Sequence, residues 1–159
     1  PHKRRFSYSL EILLNEHNIP DTYIPQALQI FEKDMLARLE PQKGAKDLLK
    51  WLGENDFKVA VATESERAEA KKKLKATGLI KYIDCIITAT DTDAMKPHPD
   101  YYTLCLSETG VDAKDAIVVG DSEITDIKPA EMLGIPTIRI VPETVHMNDV
   151  REKIINIQN

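Results

Sequence analysis

VVGDSEITDI, residues 118–127, runs a short apolar segment into one acid, Asp121, and places a second, Asp126, five positions later. The apolar run predicts a buried strand, and the residues after it predict a helix. Two carboxylates at a strand end form a hard, oxygen-rich site suited to Mg²⁺. Like charges brought that close favour a cation between them, because otherwise one tends to hold a proton. The same residues admit a plainer reading, in which Asp121 caps the following helix and Asp126 faces solvent.

Working outward, the chain from Ala45 alternates helices with short apolar runs. Ala45, Leu48, Leu49 and Leu52 mark a helix, with Gly53 as its expected C-terminal stop. FKVAVAT (57–63) reads as a strand and SERAEAKKKLKATG (65–78) as a helix with Glu69 and Lys73 paired at i,i+4. YIDCIITA (82–89) is the next strand, and PDYYTLCLSETG (99–110) a helix with Tyr101, Leu104 and Cys105 inward. DAIVVG (115–120) is a strand, IKPAEMLG (127–134) a helix and IPTIRIV (135–141) a last strand, with a short helix expected around 148–156. Short apolar strands separated by helices predict an α/β fold with a parallel sheet covered on both faces. The first forty residues differ. Phe6, Leu10, Leu13 and Leu14 recur at helical spacing, then Ile24, Leu28, Phe31, Met35 and Leu39, which predicts a helical pair without strands.

Bulk properties narrow the class. The 159 residues are 42% hydrophobic and 30% charged with a net charge of −5. That balance disfavours nucleic acid and anionic membrane as partners. No run of about 18 apolar residues offers a transmembrane span. Cys85 and Cys105 lack metal-ligand spacing and suit a reducing, cytoplasmic setting. The sequence contains neither GxGxxG nor GxxxxGK[ST], the usual dinucleotide and nucleotide loops. Oligomeric state has no signature here.

In parallel sheets, ligands sit beyond the carboxyl ends of the strands. There the first strand delivers Thr63, the third delivers Asp121, and the second runs into a polar loop holding Asp91, Asp93 and Lys96. Thr63 and Glu66 have capping-box spacing. A helix N-terminus at that place also offers free N–H groups to a phosphate, and the Thr63 hydroxyl adds a donor. Lys96 emerges in KPHP, where Pro97 and Pro99 stiffen the backbone. Its ammonium suits phosphate oxygens as a point charge, whereas most lysines are only solvated. His98 reads more readily as a surface imidazole, and KKKLK (71–75) as a solvated helix face.

Thr63 at a strand end, then Lys96-Pro97, then GDSEITD resembles the haloacid dehalogenase superfamily of phosphohydrolases, in its phosphoglycolate-phosphatase-like branch with a helical cap. EPQKGAKDLLKWL and KPAEMLGIPTIRI are similar to flanking segments of that family. The resemblance implies a Rossmann-like core over 41–159 and part of a small helical cap over 1–40. It implies a Mg²⁺-dependent phosphatase acting on a small phosphorylated metabolite through an aspartyl-phosphate. Thr63 and Lys96 would hold phosphate, Asp121 and Asp126 would serve the metal, and Thr63, Lys96 and Asp126 would act in catalysis. The family's dehalogenases do not need the metal acids, so the presence of both favours a phosphatase.

The family's first motif, an apolar strand ending in D-x-D, does not occur in these residues. Its first Asp is the nucleophile, and its strand lies between those carrying Thr63 and Asp121. The expectation is that the numbering begins partway through a longer protein, with the nucleophile upstream of Pro1. The alternatives are another segment in the gap, or a truncated, non-catalytic phosphate- or metal-binding module. Without that strand the sheet should contain a trough.

Overall fold

The computed structural model describes residues 16–17, 20–92, 94, 96–141 and 146–158. The chain forms two compact units, 1–39 and 40–159. In the first, a 3₁₀ turn (Asp21–Tyr23) leads into α1 (Ile24–Arg38), whose Pro25 stands in the first turn where no N–H is needed. The expected helix through Phe6 and Leu14 lies outside the described residues.

The second unit alternates as the pattern predicts. Its elements are α2 (Ala45–Glu54), β1 (Ala60–Thr63), α3 (Arg67–Ala76), β2 (Cys85–Thr88), a single turn α4 (Ala89–Thr92) and α5 (Asp100–Thr109). They continue with β3 (Val118–Gly120), a wide turn (Glu123–Ile127) running into α6 (Lys128–Glu131), β4 (Thr137–Arg139) and α7 (Met147–Gln158). Every strand is shorter than its apolar run. Phe57 shows why: it stacks on Trp51 at 5.6 Å between ring centroids and joins a helix-facing cluster instead of a ladder. Gly53 does not end α2. The helix runs through it to Glu54, and Asp56 takes the left-handed turn at φ 61°. The Glu69–Lys73 pair forms, at 2.7 Å.

Among the described residues all strand pairing is parallel. β1 pairs with β2, aligning Thr63 with Thr88, and β3 pairs with β4, aligning Val119 with Ile138. Helices cover both faces of the β3–β4 pair. Ile138 packs with Met147, Val150 and Ile154 of α7 and against Leu48 and Trp51 of α2. Val118 packs on the opposite side, against Tyr102, Ala130 and Ile135. Among the described residues the two pairs do not join into one sheet. Ala62 of β1 reaches the same Tyr102–Ala130–Ile135 cluster as Val118, so α5 and α6 span both pairs. Val119 is 41% exposed although its register partner Ile138 is 3% exposed. A side chain that shares its register position with a core residue is therefore left open. No helix among the described residues is long and apolar enough to cross a membrane.

Candidate active site

Lys96 and Asp126 meet. Lys96 Nζ lies 2.7 Å from Asp126 Oδ1, with the side chains 12% and 13% exposed. A pair this sheltered from water interacts far more strongly than a surface pair. Three features of the chain place Asp126 there. Ser122 caps the turn, its hydroxyl accepting from the Thr125 amide at 3.1 Å. The turn is then widened, with the Ile127 amide reaching back five residues to the Ser122 carbonyl at 3.1 Å. That extra residue swings Asp126 back over the strand end, where its Oδ2 accepts from the Ser122 amide at 3.1 Å. Third, the strand ends on Gly120, and a Cβ at 120 would overlap Asp126.

Asp121 is exposed at the same strand end. Burial works to raise the Asp126 carboxyl. The Lys96 hydrogen bond and charge, the Ser122 amide and the Asp121 side chain outweigh it, so its pKa falls below the ordinary carboxylate value. The rings of Tyr101 and Tyr102 lie 5.9 and 5.8 Å from the Lys96 ammonium. Burial, followed by the facing Asp126 charge, pushes the Tyr102 hydroxyl well above its usual range, so it stays protonated beside that carboxylate.

Thr63 ends β1, where its hydroxyl accepts from the Ser65 amide at 3.1 Å. The expected capping box with Glu66 does not form: Glu66 is itself the residue preceding α3, and no side chain caps that helix. Thr63 connects to the Lys96 loop through β2. Its register partner Thr88 is fully buried, and the Thr88 amide and hydroxyl donate to Asp91 Oδ2 at 2.7 and 2.6 Å. Asp91 Oδ1 takes the Arg67 guanidinium at 2.6 Å. The Arg67 bond first, then those from Thr88, hold the Asp91 carboxyl at about 2. Arg67 and Asp91 were not singled out as partners in the sequence. Thr88-x-x-Asp91 carries capping-box spacing that would have revealed half of the arrangement; Arg67, 24 residues away, has no local signal.

Asp93 lies outside the described residues. His98 is exposed, with Nδ1 3.2 Å from Asp100 Oδ2. Cys85 and Cys105 are free thiols, and burial pushes Cys105 up to about 12.

Asp121 and Asp126 fit Mg²⁺ in donor chemistry: hard oxygens, negatively charged, side by side at a strand end. Asp126 already spends both oxygens on Lys96 and Ser122, which leaves Asp121 as the freer ligand. Among the described residues no third His, Cys, Asp or Glu completes a cluster with them. Mg²⁺ ordinarily takes one or two carboxylates and fills its other positions with water and substrate oxygens.

A model of the haloacid dehalogenase-like hydrolases matches residues 2–140. Pyrophosphatase PpaX of Halalkalibacterium halodurans is 32% identical over 99 residues, 62% of this chain and 46% of that protein. Glyceraldehyde 3-phosphate phosphatase of Methanocaldococcus jannaschii is 31% identical over 106 residues, 67% of this chain and 46% of that one. A HAD phosphatase from Thermococcus onnurineus has the same fold with a TM-score of 0.61 at 30% identity, covering 65% of this chain and 48% of its own. The chain spans about half the length of the curated relatives it matches.

Proposed function

This chain belongs to the haloacid dehalogenase-like hydrolases, and on that premise we propose that the complete protein is a Mg²⁺-dependent phosphatase acting on a small phosphorylated molecule. The observation that carries the reading is the sheltered Lys96–Asp126 pair beside Asp121. An ammonium has three donors. Asp126 engages one, which leaves two for phosphoryl oxygens. Asp126 holds the ammonium in place and aims it, while the tyrosine rings exclude water from its flank. Thr63 offers a hydroxyl donor from the neighbouring strand end, and Asp121 presents a carboxylate to the metal. The bound metal would neutralise charge on the phosphoryl oxygens.

Among the described residues β1 and β3 each have a ladder partner on one side only, which supports a further strand between them carrying the nucleophilic Asp at its carboxyl end. That Asp attacks phosphorus and expels the alcohol or phosphate leaving group, and water then cleaves the aspartyl-phosphate. Positioning and electrostatic stabilisation carry most of such a reaction. A dehalogenase reading leaves Asp121 without a task.

The test is turnover by the complete protein on a panel of phosphate monoesters and on pyrophosphate, with and without Mg²⁺. We expect metal-dependent hydrolysis, loss of phosphate affinity in Lys96→Ala, and a raised Mg²⁺ requirement in Asp121→Asn. Phosphate binding without turnover of any substrate would replace the enzyme reading with that of a binding module. Unchanged Mg²⁺ dependence in Asp121→Asn would sink the metal assignment.

A further inference from the structure

Thr63 and Lys96 leave the sheet on separate loops, and nothing covalent fixes their separation beyond the strand ends. The structure supplies a closed ring of contacts there. Thr63 accepts from Ser65 in the turn that leads into α3. Arg67, in the first turn of α3, holds Asp91 Oδ1 at 2.6 Å. Asp91 Oδ2 returns to the amide and hydroxyl of Thr88 at 2.7 and 2.6 Å, and the Thr88 hydroxyl also meets that of Thr90 at 2.9 Å. Thr88 stands beside Thr63 in the ladder, which closes the ring.

Two facts separate this ring from an ordinary surface ion pair. Both oxygens of Asp91 are engaged, and one of them is anchored on a threonine with no exposure at all. The pair also sits between the two segments in question: Arg67 follows Thr63 by four residues, and Asp91 precedes Lys96 by five. The Arg67 and Asp91 side chains are themselves 41% and 23% exposed, so the contact is worth little to global stability. Its effect belongs in geometry, where an error of about 1 Å in the placement of a binding group costs up to about 100-fold in rate.

We propose that Arg67 and Asp91 are positioning residues, a brace that fixes the spacing of the Thr63 hydroxyl and the Lys96 ammonium around a phosphoryl group. The inference rests on the reading of Thr63 and Lys96 as phosphate ligands. With the brace cut, the loops after β1 and β2 move independently, and the groups that grip the phosphate no longer present one preformed site.

The experiment compares Arg67→Ala, Arg67→Lys, Asp91→Asn and the double variant Arg67→Ala/Asp91→Asn with Lys96→Ala, all in the complete protein. The readouts are KM and kcat on a phosphate ester, the inhibition constant of inorganic phosphate, and Tm. Arg67→Ala and Asp91→Asn should each raise KM and the phosphate inhibition constant by about 3- to 10-fold with Tm changed little. Arg67→Lys should recover part of the loss, and the double variant should be no worse than either single one, because a brace is cut once. Unchanged KM and phosphate inhibition in the Arg67 and Asp91 variants, with Lys96→Ala severely impaired, would overturn the brace and leave the phosphatase reading standing. A fall in Tm with KM unchanged would also overturn it, as a merely structural contact. Normal phosphate binding in Lys96→Ala would remove the reading of the grip, and the brace with it.

Discussion

Replacing Gly120 by alanine adds one methyl group at the point where β3 hands over to the acidic turn. The backbone there is not in the left-handed region, so the substitution carries no conformational strain. Its whole effect is collision. The new Cβ would overlap the Asp126 Cβ and stand 2.9 Å from both Cγ and Oδ2. Those two atoms are at least roughly 0.5 Å inside optimal contact, and the overlapping Cβ demands more. Asp126 cannot yield freely, because Lys96 and Ser122 hold its oxygens at 2.7 and 3.1 Å. A displacement of about 1 Å takes both bonds out of range. Overpacking of this kind costs about 1–3 kcal/mol, which lowers Tm by about 2–4 °C per kcal/mol in a domain of this size. Catalytic efficiency should fall by up to about 100-fold, since Lys96 loses the carboxylate that aims it. Gly53→Ala is the matched control. Its added Cβ meets nothing within 4 Å inside a regular helix, so it should raise stability by about 0.5–1 kcal/mol. Thermal melts and kcat/KM on the two variants check the argument. Native stability and native kcat/KM in Gly120→Ala would refute the claim that the strand end is shaped around Asp126.

The lowered Asp126 pKa sets a pH window. A carboxyl held below its unfolded value of about 3.9 contributes stability that is fully present above that value and lost as pH falls through the folded value. Urea midpoints should therefore drop on acidification below about pH 4, and Asp126→Asn should show a shallower drop. Thr88→Val removes a fully buried hydroxyl that donates to Asp91 at 2.6 Å. The loss should cost about 1–2 kcal/mol in denaturant unfolding and leave Cys85–Ile87 pairing intact.

Where the sequence was readable, one element's own residues decided the outcome. The alternation of apolar runs with helical stripes gave the parallel α/β order, and the acids five apart at 121 and 126 marked the strand end that the structure makes polar. Errors arose where two elements compete. Phe57 looks like strand by composition but joins Trp51 because a ring finds more apolar surface there. Thr63 has capping-box spacing, yet α3 starts later and Ser65 takes the hydroxyl. Gly53 looks like a helix stop, but the left-handed residue comes at Asp56. The Arg67–Asp91 contact joins residues whose nearness exists only after β1 and β2 align, so no window along the chain contains it.

The unjoined strands have a bearing on handling these residues in isolation. Along the outer side of β1 and of β3, amides and carbonyls lack a ladder partner among the described residues, and Val119 adds a greasy surface beside them. Such flanks are templates for any passing extended segment. Residues 40–159 expressed alone should clump in proportion to concentration, and a soluble short peptide of alternating valines offered in excess should suppress the clumping by occupying the vacancy.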